Sequence, residues 1–228
     1  MLDLAGKAIL ALWNGVEASR VPEYNAWHTR EHVPERVAIP GILGARRYVR
    51  AHGPLPEYLT LYSLETIDVL RSDPYRALLD NPTAWSRAMR PSLRDFLRIP
   101  CTRLMSAGGG LGSVVAACVL TERELAGLSA KLELQALAKK QGIVAVHMLV
   151  RDNSIPDVPF QVGGAKFANA GVVLVEGYDE TELNHSLPDI GDVLRASGVP
   201  DGENTLTTYR VAYAIDRASL GRLTSVDK

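Results

Sequence analysis

A chain of 228 residues with 46% hydrophobic side chains has enough apolar material for one large core or two small ones. Its formal net charge of −1, with basic residues scattered apart from the pair Arg46–Arg47, offers no field to gather nucleic acid or an anionic membrane surface. No segment approaches the roughly 18–20 apolar residues of a membrane helix, and Cys101 and Cys118 have neither metal-ligand spacing nor disulfide density.

From the N-terminus, the apolar run Ala8 to Trp13 is too short for a signal segment and has no basic stretch before it. The expectation is a cytoplasmic protein with two reduced, buried thiols. Residues 7–14 read as a strand. Residues 20–38 are helical in composition, with Pro22 suited to a first turn. Pro34 lacks an N–H and disfavours the helical state before it, so this helix is predicted to stop or kink near His32 and restart at Pro34. Residues 41–51 and 57–65 alternate as strands around the turn signal Gly53-Pro54-Leu55-Pro56. Residues 66–98 read as helical, interrupted near Asp73-Pro74 and Asn81-Pro82, and 99–106 as a closing strand.

After Gly108-Gly109-Gly110 and Gly112 the order begins again. Strand 113–120 leads to helix 121–141, opened by Thr121 and Glu124 as a capping box. Strands 142–151 and 171–178, helix 179–197 and strand 204–216 follow. Gly41-Ile42 … Val49-Arg50 falls on Gly142-Ile143 … Val150-Arg151 at one constant offset, as an internal duplication would have it. The segment 152–169, with Pro156, Pro159 and Gly163-Gly164, suits an irregular loop of the lid or interface-arm kind, and Gly163-Gly164 with Lys166 lacks the spacing of a phosphate loop.

The predicted fold class is α+β: two tandem ferredoxin-like βαββαβ repeats, residues 1–107 and 113–228, joined by a glycine-rich linker at 108–112. A lone sheet of this kind is covered by helices on one face and leaves the other bare, and a second such sheet can cover it. One chain would then make a pseudo-dimeric α/β barrel.

The first half carries Glu23-Tyr24-Asn25-x-Trp27-His28-x-x-Glu31-His32-x-Pro34-Glu35-Arg36 and Pro40-Gly41-x-x-x-Ala45-Arg46-Arg47-Tyr48, continued by Tyr58-Leu59-x-Leu61-Tyr62 and Asn81-Pro82-x-x-Trp85-Ser86. In these residues it resembles the EthD-like members of the dimeric α/β-barrel superfamily. The resemblance implies the barrel fold. It leaves activity open, because that superfamily includes cofactor-free oxygenases, isomerases, dehydratases and haem proteins, and fold does not imply function.

His28 and His32 stand at i, i+4 and share a helix face with Tyr24. Three uses are open: packing, a base with its orienter, or metal ligation. For the last, the order His-Thr-Arg-Glu-His departs from the zincin pattern and no third ligand follows, so no metal is expected. On residues 41–51 the face with Leu43, Ala45, Arg47 and Val49 is the more apolar and should lie under the helices. Arg46 and Tyr48 would then point into the barrel, with Tyr58, Thr60 and Tyr62 expected to point there too. A buried arginine needs an interior acid or a ligand anion. The repeat offset puts His147 where Arg46 stands and Leu149 where Tyr48 stands.

These residues make one expected site in the first half: His28, His32 and Arg46 as catalytic groups, and Tyr48, Tyr58 and Tyr62 binding the substrate. Trp13 or Trp27 would be a wall and His147 the second half's contribution. Its ligand would be a small molecule, with no organic cofactor. Three readings compete: an enzyme moving protons on a small apolar ring or enolisable substrate, a non-catalytic ligand-binding or regulatory module, and a haem-handling barrel. A homo-oligomer is left open.

Overall fold

In the computed structural model, residues 4–53, 57–127, 131–158, 169–200 and 206–223 are described. The strands are β1 (Ala8–Val16), β2 (Ile42–Arg50), β3 (Glu57–Leu64), β4 (Leu93–Gly108), β5 (Val114–Thr121), β6 (Ile143–Arg151), β7 (Asn169–Gly177) and β8 (Thr207–Asp216). They form one closed antiparallel barrel in the order β1-β3-β2-β8-β5-β7-β6-β4. Each half contributes a four-stranded βαββαβ sheet. Closure comes from two strands shared between sheets: β4 pairs with β1 and then with β6, and β8 pairs with β5 and β2. Closing the sheet leaves no free edge to template aggregation.

The helices lie outside. They are α1 (Val21–Trp27), α2 (Val33–Val37), α3 (Asp73–Asp80) and α4 (Ala84–Met89) in the first half. α5 (Glu122–Gly127), α6 (Lys131–Leu137), α7 (Glu180–Ala196) and α8 (Arg217–Leu223) follow. None is long and apolar enough to cross a membrane. The capping box forms: Thr121 N–H donates to Glu124 Oε2 at 2.7 Å, and Glu124 N–H to Thr121 Oγ1 at 3.4 Å.

Three expectations need correction. The first helix does not stop at His32; the break expected there takes the form of a π-turn. A π-turn over His28–His32 joins α1 to α2, with Val33 N–H donating to His28 O. The wider turn takes up the residue whose carbonyl the Pro34 ring would otherwise crowd, so helical geometry carries through. Second, residues 93–98 are not helical; β4 begins at Leu93, and the stretch before it holds a 3-10 turn at Ile67–Arg71, α3, α4 and a 3-10 turn at Arg90–Ser92. Third, α8 follows the last strand, where none was predicted. Of the loop 152–169, residues 159–168 with Gly163-Gly164 and Lys166 lie outside the described residues, as do Pro54, Leu55 and Pro56.

Both halves share one register. Gly44 pairs with Ser63, Ala45 with Tyr62, Arg46 with Leu61 and Arg47 with Thr60. Ala145 pairs with Glu176, Val146 with Val175, His147 with Leu174 and Met148 with Val173, and both pairings carry an irregularity one residue earlier. Arg46 and His147 are thus equivalent, as are Tyr48 and Leu149.

The inner barrel core gathers Ile9, Ala11, Tyr48, Leu59, Leu61, Ile99, Cys101, Val115, Leu149, Val172 and Leu174, all buried. Partners in an antiparallel pair share a face. Leu59 and Leu61 therefore point inward with Tyr48 and Arg46. Tyr58, Thr60 and Tyr62, paired with Val49, Arg47 and Ala45, point outward under the helices. This reverses the expectation for Tyr58, Thr60 and Tyr62.

Candidate functional site

The residues expected to make one site occupy two places separated by the first sheet. Inside the barrel, Arg46 Nη1 donates to Glu176 Oε1 at 2.9 Å and Oε2 at 3.1 Å. Glu176 is fully buried, accepts from Gly112 N–H at 2.9 Å, and lies 3.3 Å from His147 Nε2. His147 Nδ1 is in turn 2.7 Å from Ser106 Oγ. Burial pushes the Glu176 carboxyl up, but His147, the Arg46 charge and the Gly112 N–H outweigh it and hold it below the usual carboxylate range. Arg46 thus meets the interior acid that a buried guanidinium requires. Trp13 packs against this inner core, so it is no wall of the histidine site.

His28 and His32 lie on the outer side, and they line a cavity between the first sheet and its helices. β1 supplies Leu10, Leu12 and Asn14; β3 supplies Thr60; β4 supplies Leu93, Phe96 and Arg98. The helical layer adds Tyr24, Trp27, Arg36, Tyr75, Leu79 and Arg90, and Val158 reaches over from the second half. The cavity has about 600 Å³ of atom-free space, its open mouth included. It can bury the head of a small ligand, with the remainder in the mouth.

The π-turn brings the two imidazoles together. Their rings stack with centroids 5.2 Å apart at 28°. Tyr24 lies 5.2 Å from His28, and Trp27 lies 4.1 Å from His32. Tyr24 is itself held by a 3.2 Å hydrogen bond from its OH to Asn14 Oδ1. Arg36 Nη1 donates to His32 O at 3.0 Å and Glu35 Oε1 at 2.7 Å, and stands 3.0 Å from His32 Nδ1. A guanidinium only donates, so His32 Nδ1 is an acceptor and the ring is neutral. Burial, then the Arg36 charge, then His28 and Arg90, hold the His32 pKa well below its ordinary value. For His28 the causes are burial, Arg47 and Arg36. Among the described residues its buried Nδ1 has no partner, nor has Thr60 Oγ1 on the sheet below.

A haem would need an unpartnered histidine nitrogen beside a slot as wide as a macrocycle. His28 offers the nitrogen, but its ring is flanked by His32 and Tyr24 at 5.2 Å each, which leaves no flat slot beside it, so these residues as placed do not fit the group. Among the described residues, no three His, Cys, Asp or Glu side chains gather as metal ligands.

Sequence reasoning missed Arg98, Arg90, Asn14 and Thr60 as lining residues. Arg98 and Arg90 fell in a stretch read as helix. Thr60 was assigned to the wrong face.

The corresponding outer face of the second half is dry. By register, Asn14, Arg47, Thr60 and Tyr62 correspond to Leu120, Met148, Val173 and Val175. These four pack with Leu134, Leu137, Leu183, Ile190 and Leu194 of α6 and α7 in one apolar cluster. The fold therefore does not require polar groups at these places.

Neither a family model nor a curated protein sequence matches the chain. Solved structures do. An anthrone oxidase-like protein is 11% identical over 95% of this chain and 96% of its own, with a TM-score of 0.66. A putative monooxygenase from Fusobacterium nucleatum subsp. nucleatum is 10% identical, covering 92% and 95%, with a TM-score of 0.59. A putative chlorite dismutase is 13% identical, covering 95% and 99%, with a TM-score of 0.50. At such identities the likeness bears on the fold: the chain has the dimeric α/β-barrel fold with both halves of the barrel in one polypeptide.

Proposed function

We propose that the chain is a cofactor-independent enzyme that removes a proton from a small, mainly apolar, enolisable or phenolic substrate held in the cavity under the first half's helices. The observation that carries this is the asymmetry of the two outer faces. The second half fills its face with aliphatic side chains, whereas the first keeps a cavity with unpartnered polar atoms on His28 and Thr60. Each such atom costs about 1–3 kcal/mol, which a ligand interaction would offset.

His28 is the base in this reading. Empty, the site holds its imidazole neutral, because burial and the Arg47 and Arg36 charges oppose protonation. The substrate's proton passes to the imidazole while the substrate keeps the electron pair as an enolate or phenolate. That new anion offsets the arginine field that made His28 a weak base, so imidazolium and anion stabilise each other as they form. His32, fixed by Arg36, positions the His28 ring. Isomerisation, dehydration and attack on dioxygen all begin from such an anion.

The EthD-like assignment is part of the proposal: its motif residues Tyr24, Trp27, His28, His32 and Arg36 line the cavity. So are a duplication with its boundary at 108–112, a cytoplasmic location and the small-molecule partner. The test is hydrogen–deuterium exchange at the acidic carbon of 2-tetralone and of anthrone, followed by NMR without oxygen. Wild type should exceed His28→Gln by about 10²–10⁴-fold. Binding with no exchange above buffer would replace the enzyme with a ligand-binding module.

A further inference from the structure

One row of side chains crosses the first sheet under the cavity. Arg98 on β4 pairs with Leu12 on β1, Leu12 with Thr60 on β3, and Thr60 with Arg47 on β2. All four point to the helices. Arg98 is 3% exposed, Arg47 6% and Thr60 1%. Arg98 Nη1 donates to the Pro156 carbonyl at 3.2 Å, and among the described residues its Nε has no partner. Arg47 Nη2 donates to Asn25 Oδ1 at 3.1 Å, and its guanidinium sits 5.4 Å from the Tyr58 ring and 5.9 Å from the Tyr24 ring. Its Nε and Nη1 are unpartnered. Thr60 Oγ1, between the two, has no partner either.

Among the described residues, no carboxylate pairs with either of these arginines. Buried cations are ordinarily paired, as Arg46 is with Glu176 and Arg36 with Glu35. Of the arginines on the cavity lining, Arg36 is paired with Glu35, whereas Arg98 meets no carboxylate among the described residues. In the second half, the row reads Cys118, Val173 and Met148, without charge.

We infer that the cavity floor between Arg98 and Thr60 is an oxyanion subsite, with Arg47 one strand beyond supplying further positive field, and that the substrate is a small planar apolar molecule bearing one carboxylate or phenolate. Arg98 donates to the oxyanion from one side and Thr60 from the other. The apolar remainder lies against Phe96, Leu79 and Trp27, within reach of His28. This rests on the proposal that the cavity is a ligand site and adds the charge and class of what enters it.

The test is calorimetric titration with 2-naphthoate, its neutral counterpart 2-naphthamide, and 2-naphthol. Wild type should bind 2-naphthoate about tenfold tighter than 2-naphthamide, or bind 2-naphthol with the red-shifted absorption of the naphtholate at neutral pH. The first result identifies a carboxylate ligand and the second a phenolate. Arg98→Met should remove the preference by weakening 2-naphthoate about tenfold more than 2-naphthamide. Thr60→Val, nearly isosteric, should weaken it and keeps the test available if Arg98→Met does not fold. Equal binding of naphthoate and naphthamide with no naphtholate band overturns the oxyanion subsite but leaves the cavity as a ligand site. Failure of all three probes to bind overturns both.

Discussion

The Arg46–Glu176 pair inside the barrel gives the sharpest stability prediction. Both side chains are almost wholly buried, at 7% and 0% exposure, and Gly112 N–H and His147 converge on the same carboxylate. Glu176→Gln keeps the shape and removes the charge, leaving the guanidinium buried without its carboxylate. Breaking a buried pair this way costs about 3–5 kcal/mol, a large share of the roughly 5–15 kcal/mol that holds a domain together. With an m-value of about 2–3 kcal/mol/M, the urea midpoint should fall by roughly 1–2.5 M. The double variant Arg46→Met with Glu176→Leu should recover most of that loss, because removing both charges also removes their desolvation cost. Equilibrium urea unfolding of wild type, Arg46→Met, Glu176→Leu and the double variant closes the cycle, with an expected coupling of at least about 3 kcal/mol. If Glu176→Gln loses less than about 1 kcal/mol, or the double variant is no better than the singles, the pair does not hold the barrel as argued.

His28 and His32 have depressed folded pKa values. The unfolded chain therefore binds more protons below its ordinary histidine pKa, and stability should be full above about pH 6.5 and fall as the pH drops below it, by up to about 1.4 kcal/mol per unit per histidine. His28→Gln should flatten that slope in urea midpoints taken between pH 6.5 and 5; an unchanged slope refutes the buried neutral state. Gly108 has φ +77°, and a Cβ there would lie 2.2 Å from the Val144 carbonyl oxygen. Gly108→Ala should lower the thermal midpoint by several degrees, about 1–3 kcal/mol of strain, measured by calorimetry. Burial pushes the Cys118 thiol up to about 12 and Cys101 up as well. Neither should react with Ellman's reagent at pH 8 until urea unfolds the chain, and prompt native reaction of either would refute its burial.

Local pattern made most strands legible, because alternation and Gly/Pro punctuation are local signals. It could not orient β3. In a closed barrel wrapped by helices both faces of a strand are covered, and every residue of β3 after Glu57 is buried. Hydrophobicity then fails to distinguish Leu59 and Leu61 from Tyr58, Thr60 and Tyr62, and only pairing with β2 fixes the faces. The start of β4 was hidden for a related reason. Arg94, Asp95 and Arg98 break the apolar pattern, Asp95 has φ +50°, and the partner strand shifts register between Trp13 and Gly15. Arg98 and Thr60 lie on one row across the strands, either side of Leu12, which sequence spacing does not reveal. The histidine pair was visible because its contacts lie within one helix.

The two halves divide the barrel's physical requirements unequally, and a single chain permits this. In a symmetric homodimer each buried polar group appears twice, so a site with several unsatisfied atoms would incur its cost of about 1–3 kcal/mol per atom in both copies. Here the second half's outer face is an aliphatic core, which stabilises the barrel while the first half keeps its cavity. The interior shows the same division. Arg46 and His147 hold equivalent positions, yet both converge on one carboxylate, Glu176, whose own equivalent in the first half is Ser63. Two identical chains could not make that arrangement, since symmetry would bring a second glutamate against the first or leave both cations unpaired. The difference between the halves thus joins them through Glu176 and leaves Arg47 and Arg98, which meet no carboxylate among the described residues, with Thr60 and the His28 ring under the first half's helices.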